Sequence, residues 1–198
     1  MAAFDLLIVG GGAAGFAAAT RASELGIKTA LINTGLPLGG TCVNVGCVPS
    51  KLLLEVGSEN YNLKNIRFRA NESENYEHLE YPDFQSAMRA KDRTVTALRN
   101  SNYTEVARKL GIAVITGKAR FVSSRQIEVN GRILEANRFI IATGSRPRIL
   151  PFKGIEKVHY ITNREALSLS RLPKSMIVVG AGPTGWSLPR CMPVLELI

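Results

Sequence analysis

The sequence is poor in the residues that build metal centres and in the long apolar runs that cross membranes. It has three cysteines and two histidines in 198 residues, so a zinc site with four ligands would need most of them at once. No stretch approaches the ~20 apolar residues that span a bilayer. A secretory signal has a basic segment followed by an unbroken apolar core, and the start of this sequence has neither. These absences predict a cytoplasmic protein with no metal site and no membrane partner.

The charge is mostly of one sign. Lysine and arginine number 25 against 16 acidic residues, which gives a net charge of +9 and favours acidic partners such as nucleotide phosphates without identifying one. A predicted helix over residues 84–110 carries Arg89, Lys91, Arg93 and Arg99. Acidic and polar residues are interleaved with them and no aromatic stacking set is present, so we predict a solvated face and no nucleic-acid partner.

Two of the three cysteines, Cys42 and Cys47, lie five positions apart. In an unbroken helix their Cα atoms would be roughly 7.5 Å apart along the axis, which is beyond the usual reach of a disulfide. The segment must therefore distort, with Gly46 as the flexible point. In a cytosolic protein such a pair is more often catalytic than structural, so we predict a redox-active disulfide. A buried pair of small apolar side chains and half of a metal site are the alternatives.

A glycine-rich turn precedes the cysteines. The apolar run 6–9 enters the sequence GGGAAG at 10–15, an alanine-rich helix follows, and residues 28–32 form a second apolar run. In a dinucleotide-binding turn, Gly10 permits the tight bend, Gly12 lets the backbone approach a pyrophosphate, and Gly15 lets the helix pack on the strand. Ala13 and Ala14 open the helix, whose N-terminus faces the phosphates.

The end of the second predicted strand departs from the dinucleotide pattern. An acidic residue there normally holds a ribose hydroxyl, but this sequence has Asn33. A neutral amide still donates and accepts hydrogen bonds. We therefore predict a weakened ribose contact at Asn33.

Together with the glycine turn, the segment GGTCVNVGCVPSK at 39–51 resembles the flavin-dependent pyridine nucleotide-disulfide oxidoreductases. The resemblance covers about residues 3–185. It implies an α/β fold with a Rossmann-like FAD-binding domain over 1–150, formed by a parallel sheet with helices and a β-meander. A crossover segment over 151–174 and the start of a second Rossmann-like, NAD(P)H-binding domain from 175 follow.

The resemblance also implies roles for individual residues. Electrons pass from NAD(P)H to FAD, then to the Cys42–Cys47 disulfide, and on to the acceptor. Cys47 is the thiol that forms a charge-transfer pair with the flavin, Cys42 attacks the substrate, and Lys51 lies near the isoalloxazine, although a surface lysine is the plain alternative. Further FAD-binding positions are Gly40, Thr41, Ala119, Thr143, Gly144 and Ser145. Ordinary strand packing is the alternative for Ala119, and a strand-to-turn exit is the alternative for residues 143–145.

Within the family, the amino-acid sequence of the cysteine segment most resembles that of mercuric reductases. Dihydrolipoyl dehydrogenases more often have leucine and isoleucine where this sequence has Val43 and Val48. The expected acceptor is therefore a metal ion or a small molecule, and the reductant is NADPH or NADH. Complete members are homodimers, but the interface domain, like the general-acid histidine, lies beyond residue 198.

The rest of the FAD-binding domain shows weaker patterns. Residues 111–135 predict short strands with turns at 117–118, 123–124 and 130–131, and the Asn130-Gly131 pair is a hairpin signal. Residues 84–110 predict one long helix. Residues 59–82 have no clear period and predict an exposed excursion.

The C-terminal segment begins like a second dinucleotide turn, with an apolar strand over 174–179 followed by Gly180, Gly182 and Gly185. Pro189 and Pro193 should then break the helix that the family has there, so the tail from 186 is off-pattern. We interpret the chain as a truncated or frame-shifted product with an exposed apolar face. Three hypotheses follow: a flavoenzyme completed from elsewhere, a non-catalytic FAD-binding remnant, and a basic nucleic-acid-binding or metal-binding module.

Overall fold

A computed structural model describes residues 3–69 and 83–191. The chain forms two compact units, of which the first joins Met1–Asn44 with Thr96–Leu150 and the second joins Val45–Val95 with Pro151–Ile198. The division between the units thus falls twice inside the part that we predicted to be one domain. The domain limits predicted from the sequence, at 150 and 174, remain predictions.

The helices follow the predicted order with two differences. Residues 84–110 are helical almost throughout, but a π-helical turn over Asn100–Thr104 interrupts the predicted single helix. The helix that begins at Cys47 continues to Arg69, so the predicted excursion was wrong over 59–69, since polar residues lower helix propensity only slightly; residues 70–82 lie outside the described residues. The α-helices are α1 Ala13–Glu24, α2 Gly40–Val45, α3 Cys47–Arg69, α4 Phe84–Arg99, α5 Glu105–Lys109, α6 Asn163–Ala166 and α7 Pro183–Cys191.

The first unit contains a six-stranded sheet. Its strands are β1 Phe4–Val9, β2 Thr29–Asn33, β3 Ala113–Thr116, β4 Ala119–Ser123, β5 Gln126–Val129 and β6 Arg132–Ile141. Their order across the sheet is β3-β2-β1-β6-β5-β4. The first four strands in this order are parallel, and β4, β5 and β6 are joined antiparallel. The predicted α/β fold with a meander is thereby confirmed.

Strand β6 belongs to both parts of the sheet. Residues 132–135 pair antiparallel with β5, and residues from Ala136 onward pair parallel with β1. The hairpin that starts β6 turns at Asn130, which has a positive φ of 53°, as the Asn-Gly signal predicts. Because one continuous strand serves both parts, the meander fixes the position of the last parallel strand.

The core of the first unit lies on both faces of the sheet. Leu7 and Ile8 are neighbours in β1 and both are 0% exposed. Leu7 packs with Ile127 and other residues of the meander, whereas Ile8 packs with Phe16 from α1. Since successive strand residues point to opposite faces, β1 is covered on both sides, which is typical of a central parallel strand.

The second unit has a separate apolar cluster. Its buried members include Leu53 of α3, Met88 of α4 and Leu188 of α7, together with Ala166 and Leu167 at the end of α6. The short helix α6 is held by a capping box, in which the Thr162 backbone N–H donates to the Glu165 carboxylate at 2.8 Å. Hydrogen bonds from the Thr162 side chain and backbone hold the pKa of Glu165 below its ordinary value. The cap therefore stabilises α6 above the unfolded pKa of Glu165 and is lost as the pH falls through the lowered one.

The sequence predicted that Lys91 lies on a solvated face, and this prediction was wrong. Lys91 is 5% exposed, its ammonium donates to the carbonyl of Leu167, and it forms an ion pair of 2.8 Å with Asp92. Helical spacing places Lys91 between Met88 and Val95 on the apolar stripe of α4, where the long side chain is buried together with a hydrogen-bond acceptor.

The C-terminal segment differs from the prediction at two points. Residues 174–179 pair with no strand within the described residues, and Ile177 and Val179 are 89% and 66% exposed. The prediction of a helix broken after Gly185 was wrong, because α7 continues to Cys191. Pro183 occupies the first helical position, where its missing N–H costs nothing, and Pro189, six residues later, removes a single hydrogen bond. Pro193 lies outside the described residues.

Across the two described ranges no helix is both long enough and apolar enough to cross a bilayer. In the same part of the chain, no group of three or more histidine, cysteine, aspartate or glutamate side chains is arranged to hold a metal ion.

Replacing Lys91 with methionine tests the buried ammonium. Lys91→Met keeps the apolar stem but leaves the Leu167 carbonyl without the lysine donor, which we expect to lower the free energy of unfolding by about 1–3 kcal/mol. Urea denaturation followed by circular dichroism measures this. Arg93→Met, at an exposed position of the same helix, is the control, with an expected change within about 0.5 kcal/mol. Equal effects of the two substitutions would contradict the buried role of Lys91.

Candidate dinucleotide site and cysteine segment

The carboxyl ends of the parallel strands meet at one level. Val9 at the end of β1 is paired with Ile32 of β2 and with Ile141 of β6, and Asn33 of β2 is paired with Thr116 of β3. The chain leaves this edge through four turns that are far apart in sequence. In open α/β sheets this edge is where ligands bind.

The first of these turns admits only glycine at its start. Gly10 has a φ of 119°, and its N–H donates to the Ile32 carbonyl at 2.8 Å. A Cβ on Gly10 would lie 2.1 Å from the carbonyl oxygen of Ala142. The turn after β1 is therefore packed directly against the backbone that follows β6.

Gly12 and Gly15 have opposite surroundings. A Cβ on Gly15 would lie 1.8 Å from the Gly10 carbonyl oxygen, whereas the nearest atom to a Cβ on Gly12 would be the Cα of Gly40 at 3.9 Å. Gly12 caps α1, and within the described residues no side chain hydrogen-bonds to that cap. Ala13 and Ala14 after it are exposed. The turn is thus closed where the helix packs and open where a phosphate would approach.

The segment that carries Cys42 is joined to this turn by its backbone. Gly39 and Gly12 form an isolated parallel bridge, and the Gly39 N–H donates to the Gly11 carbonyl at 2.8 Å. Gly40 has a φ of 60°, and a Cβ on it would lie 2.7 Å from the Cα of Gly12. Cys42 follows two residues later, half-buried in α2.

Gly11 holds the turn together, a role that the glycine spacing did not predict. Its N–H donates to the side-chain oxygen of Asn33 at 3.1 Å, and a Cβ on it would lie 2.6 Å from the same oxygen. With its carbonyl bound by Gly39, both polar atoms of the Gly11 peptide are occupied inside the turn. The signal in the sequence is a glycine at the position between Gly10 and Gly12, where the pattern does not require one.

Asn33 is directed toward the glycine turn. Besides accepting from Gly11, its amide nitrogen donates to the Leu36 carbonyl at 2.9 Å. An amide has a second lone pair and a second N–H, which leaves capacity for a ligand. The weakened ribose contact stays a prediction.

The other predicted FAD-binding positions of the first unit lie along the same edge. Gly117, in the turn after β3, donates to the Asn33 carbonyl at 2.9 Å, and Ala119 begins β4 immediately afterwards. Thr143, Gly144 and Ser145 follow the end of β6 and are exposed, as is Thr41 in α2. The structure therefore gathers four separate sequence segments around the glycine turn.

The two cysteines belong to different units. The division falls between Asn44 and Val45, and α2 ends at Val45, so the helix is interrupted at Gly46 as predicted. Cys47 is the first residue of α3, is exposed, and has a free thiol within the described residues. Lys51 lies one turn further along α3 and is also exposed.

Residues 4–188 match the sequence model of the pyridine nucleotide-disulphide oxidoreductases. The chain belongs to this family. It is similar to the mercuric reductase of Lysinibacillus sphaericus, with 40% identity over 185 residues, 93% of this chain and 33% of the relative. It is also similar to the dihydrolipoyl dehydrogenase of Trypanosoma brucei brucei, with 33% identity over 219 residues, 98% of this chain and 44% of the relative.

Solved structures show the same family. The HOCl-induced flavoprotein disulfide reductase RclA from Escherichia coli superposes with a TM-score of 0.69 and 28% identity, covering 87% of this chain and 35% of that chain. The chain spans about a third of the length of the mercuric reductases that it matches. The predicted family and its Rossmann-like fold are confirmed.

The second glycine turn repeats the geometry of the first. Gly180 has a φ of 117°, close to that of Gly10. A Cβ on Gly185 would lie 2.0 Å from the Gly180 carbonyl oxygen, and a Cβ on Gly182 would have no atom within 4 Å. The turn predicted for NAD(P)H in this family is thus formed, although the segment before it pairs with no strand among the described residues. Binding of NAD(P)H at this turn remains a prediction.

Two alanine substitutions separate the closed and open sides of the first turn. Gly15→Ala places a methyl group against the Gly10 backbone, and we expect it to lower the free energy of unfolding by about 1–3 kcal/mol or more despite the helix preference of alanine. Gly12→Ala meets open space at an ordinary φ and should stay within about 0.5 kcal/mol of the parent. Urea denaturation of both variants measures this. Similar destabilisation by both would show that the turn is not open at Gly12.

Proposed function

We propose that this chain forms the FAD-binding part of an NAD(P)H-dependent disulfide oxidoreductase similar to mercuric reductases. In such an enzyme the Cys42–Cys47 pair cycles between a disulfide and two thiols, and the thiols pass two electrons to an acceptor. FAD, when bound, supplies the electron transfer between the reduced nicotinamide and the pair. The chain supplies the cradle for the dinucleotide and the two sulfur atoms.

The contact of Gly12 with Gly39 and Gly40 supports this function more than any other single feature. It joins the turn that would hold a pyrophosphate to the segment that begins α2, two residues before Cys42. A dinucleotide cradle alone would suit many enzymes. A cradle joined by its backbone to a cysteine segment suits a disulfide oxidoreductase.

The cradle fits the pyrophosphate of FAD. The backbone is open at Gly12, and the first turn of α1, as described, contains no acidic side chain, so an anion meets no repulsion there. Gly12, Ala13 and Ala14 would hold the phosphates through backbone N–H groups. Asn33, Ala119 and the loop 143–145 would line the adenosine and flavin portions along the strand edge.

The two cysteines supply the dithiol–disulfide couple of the proposed chemistry. Reduction of their disulfide adds two electrons and two protons and yields two thiols. By family likeness Cys47 is the thiol near the flavin and Cys42 the thiol that attacks the acceptor. Cys42 is the half-buried member and Cys47 the exposed member of the pair.

The acceptor is the part of the proposal that rests most on relatives. A mercuric reductase matches at 40% identity and a dihydrolipoyl dehydrogenase at 36%. Val43, one of the two residues at which this sequence resembles mercuric reductases, is buried at 6% exposure, so packing of α2 is enough to explain it. The higher identity to a mercuric reductase makes reduction of a metal ion our first candidate. Reduction of a small-molecule disulfide is the second.

A non-catalytic FAD-binding remnant is the other candidate, and one observation favours it. The segment 174–179 precedes the second glycine turn without a sheet partner among the described residues, and its Ile177 is 89% exposed. A nicotinamide nucleotide site needs that strand in a sheet. The cradle for FAD in the first unit does not depend on it.

Titration of the purified chain with FAD, followed by flavin fluorescence, tests the cradle. We expect saturable binding, and we expect Gly12→Ala to weaken it by about tenfold, which corresponds to about 1.4 kcal/mol, because the added methyl group occupies the open side of the turn. Riboflavin lacks the pyrophosphate and adenosine, so the parent and Gly12→Ala should bind it with the same affinity. Absence of FAD binding by the parent chain would overturn the proposal.

Reduction of the FAD-loaded chain separates the enzyme from the remnant. A dithiol reduces the cysteine pair directly, whereas NADPH acts only through the second nucleotide site. If the chain is a remnant, the dithiol but not NADPH will add long-wavelength absorbance to the bound-flavin spectrum. The same change with both reductants would establish the oxidoreductase activity in this chain.

A further inference from the structure

The loop that joins β2 to α2 is held by asparagine side chains at both of its ends. Its three consecutive carbonyls at Leu36, Pro37 and Leu38 all accept hydrogen bonds from amide nitrogens. Asn33 donates to Leu36 at 2.9 Å. The two N–H groups of Asn44 are shared among three carbonyls, that of Gly40 at 2.8 Å and those of Pro37 and Leu38 at 3.1 Å each. We call Asn33 and Asn44 the asparagine clamp.

The oxygen of each clamp amide is bound on the opposite side. The Asn33 oxygen accepts from the Gly11 N–H at 3.1 Å. The Asn44 oxygen accepts from the Arg99 guanidinium, at the end of α4, at 3.2 Å. The clamp therefore connects the glycine turn, the loop over 34–39 and α4 through a continuous series of hydrogen bonds inside the first unit.

We propose that the asparagine clamp, supported by Arg99, positions Cys42 relative to the dinucleotide cradle. Cys42 lies between Gly40, which contacts Gly12, and Asn44, which holds the preceding loop. The backbone is thus held on both sides of Cys42 along the chain. Asn44 is a positioning residue and contacts no reacting atom. The redox role of Cys42 rests on the proposed function, but the hydrogen bonds of the asparagine clamp do not.

A second contact supports the same segment from α4. Tyr103, in the π-helical turn that follows Arg99, has a ring carbon 3.2 Å from the place of a Cβ on Gly39. Its ring also lies 4.7 Å from that of Phe16 in α1. π-Helical turns are frequent at functional sites, and this one brings Tyr103 against the start of the cysteine segment.

The chemistry of the clamp requires an amide. Aspartate has the same shape as asparagine but replaces the donating nitrogen with an oxygen. In Asn44→Asp that oxygen would face the carbonyl oxygens of Pro37, Leu38 and Gly40, so attraction becomes repulsion. The other carboxylate oxygen would still accept from Arg99. Asn44→Asp therefore removes the donor side of the clamp with little change in volume.

Alkylation of the native chain by iodoacetamide, read at each cysteine by mass spectrometry without FAD, tests the proposal. Cys47 is exposed already and serves as the internal reference. We expect Asn44→Asp to raise the rate at half-buried Cys42, relative to Cys47, by roughly two- to tenfold, the range that corresponds to one lost hydrogen bond. Asn100→Asp is the matched control, because Asn100 is exposed in the π-helical turn and undergoes the same chemical change. Equal ratios in the two variants would overturn the clamp.

Hydrogen exchange distinguishes positioning from general stability. Positioning predicts that Asn44→Asp speeds amide exchange over residues 34–44 while β1 and β2 stay protected. Faster exchange throughout β1 and β2 would make Asn44 an ordinary stabilising residue and would overturn the proposal. If Asn44→Asp does not fold, Arg99→Ala takes its place, because it removes the hydrogen bond from Arg99 to Asn44. An unchanged alkylation rate of Cys42 relative to Cys47 in Arg99→Ala would also overturn the proposal.

The outcome is independent of flavin binding. A chain that does not bind FAD but shows the shift at Cys42 supports the clamp and removes the proposed function. A chain that binds FAD and shows no shift supports the function and overturns the clamp.

Discussion

The close backbone approach of Gly12 to Gly39 and Gly40 is the constraint on which the rest of the first unit depends. A side chain on Gly40 would meet the Cα of Gly12 at 2.7 Å, so the two segments can approach this closely only with glycine at position 40. That contact brings the turn after β1 and the segment after β2 together. It thereby joins the part of the fold that suits a phosphate to the part that carries a thiol.

The surrounding structure keeps this contact in place. The paired ends of β1, β2 and β6 fix the level at which the glycine turn leaves the sheet. The side chains of Asn33 and Asn44 hold the connecting loop, and Arg99 and Tyr103 support it from α4 and the π-helical turn. The second glycine turn has the same internal geometry but no paired strand among the described residues.

The sequence predicted what depends on backbone rules. The glycine spacing, the Asn130-Gly131 hairpin and the helix break at Gly46 follow from local conformational preference. It did not predict what depends on partners distant in sequence. Burial of Lys91 requires the Leu167 carbonyl, the role of Gly11 requires Asn33, and the clamp requires three carbonyls that only the folded loop brings together. The prediction that Pro189 breaks the helix was wrong, because the loss of one hydrogen bond does not outweigh the packing of Leu188 in the core of the second unit.

We infer that the cysteine segment and the dinucleotide cradle act together in electron transfer. The absorbance spectrum of the purified chain with FAD, before and after one equivalent of a dithiol, tests this most directly. We expect a bound-flavin spectrum that gains long-wavelength absorbance on reduction, because a thiolate then lies against the flavin. The spectrum of free flavin throughout would contradict it.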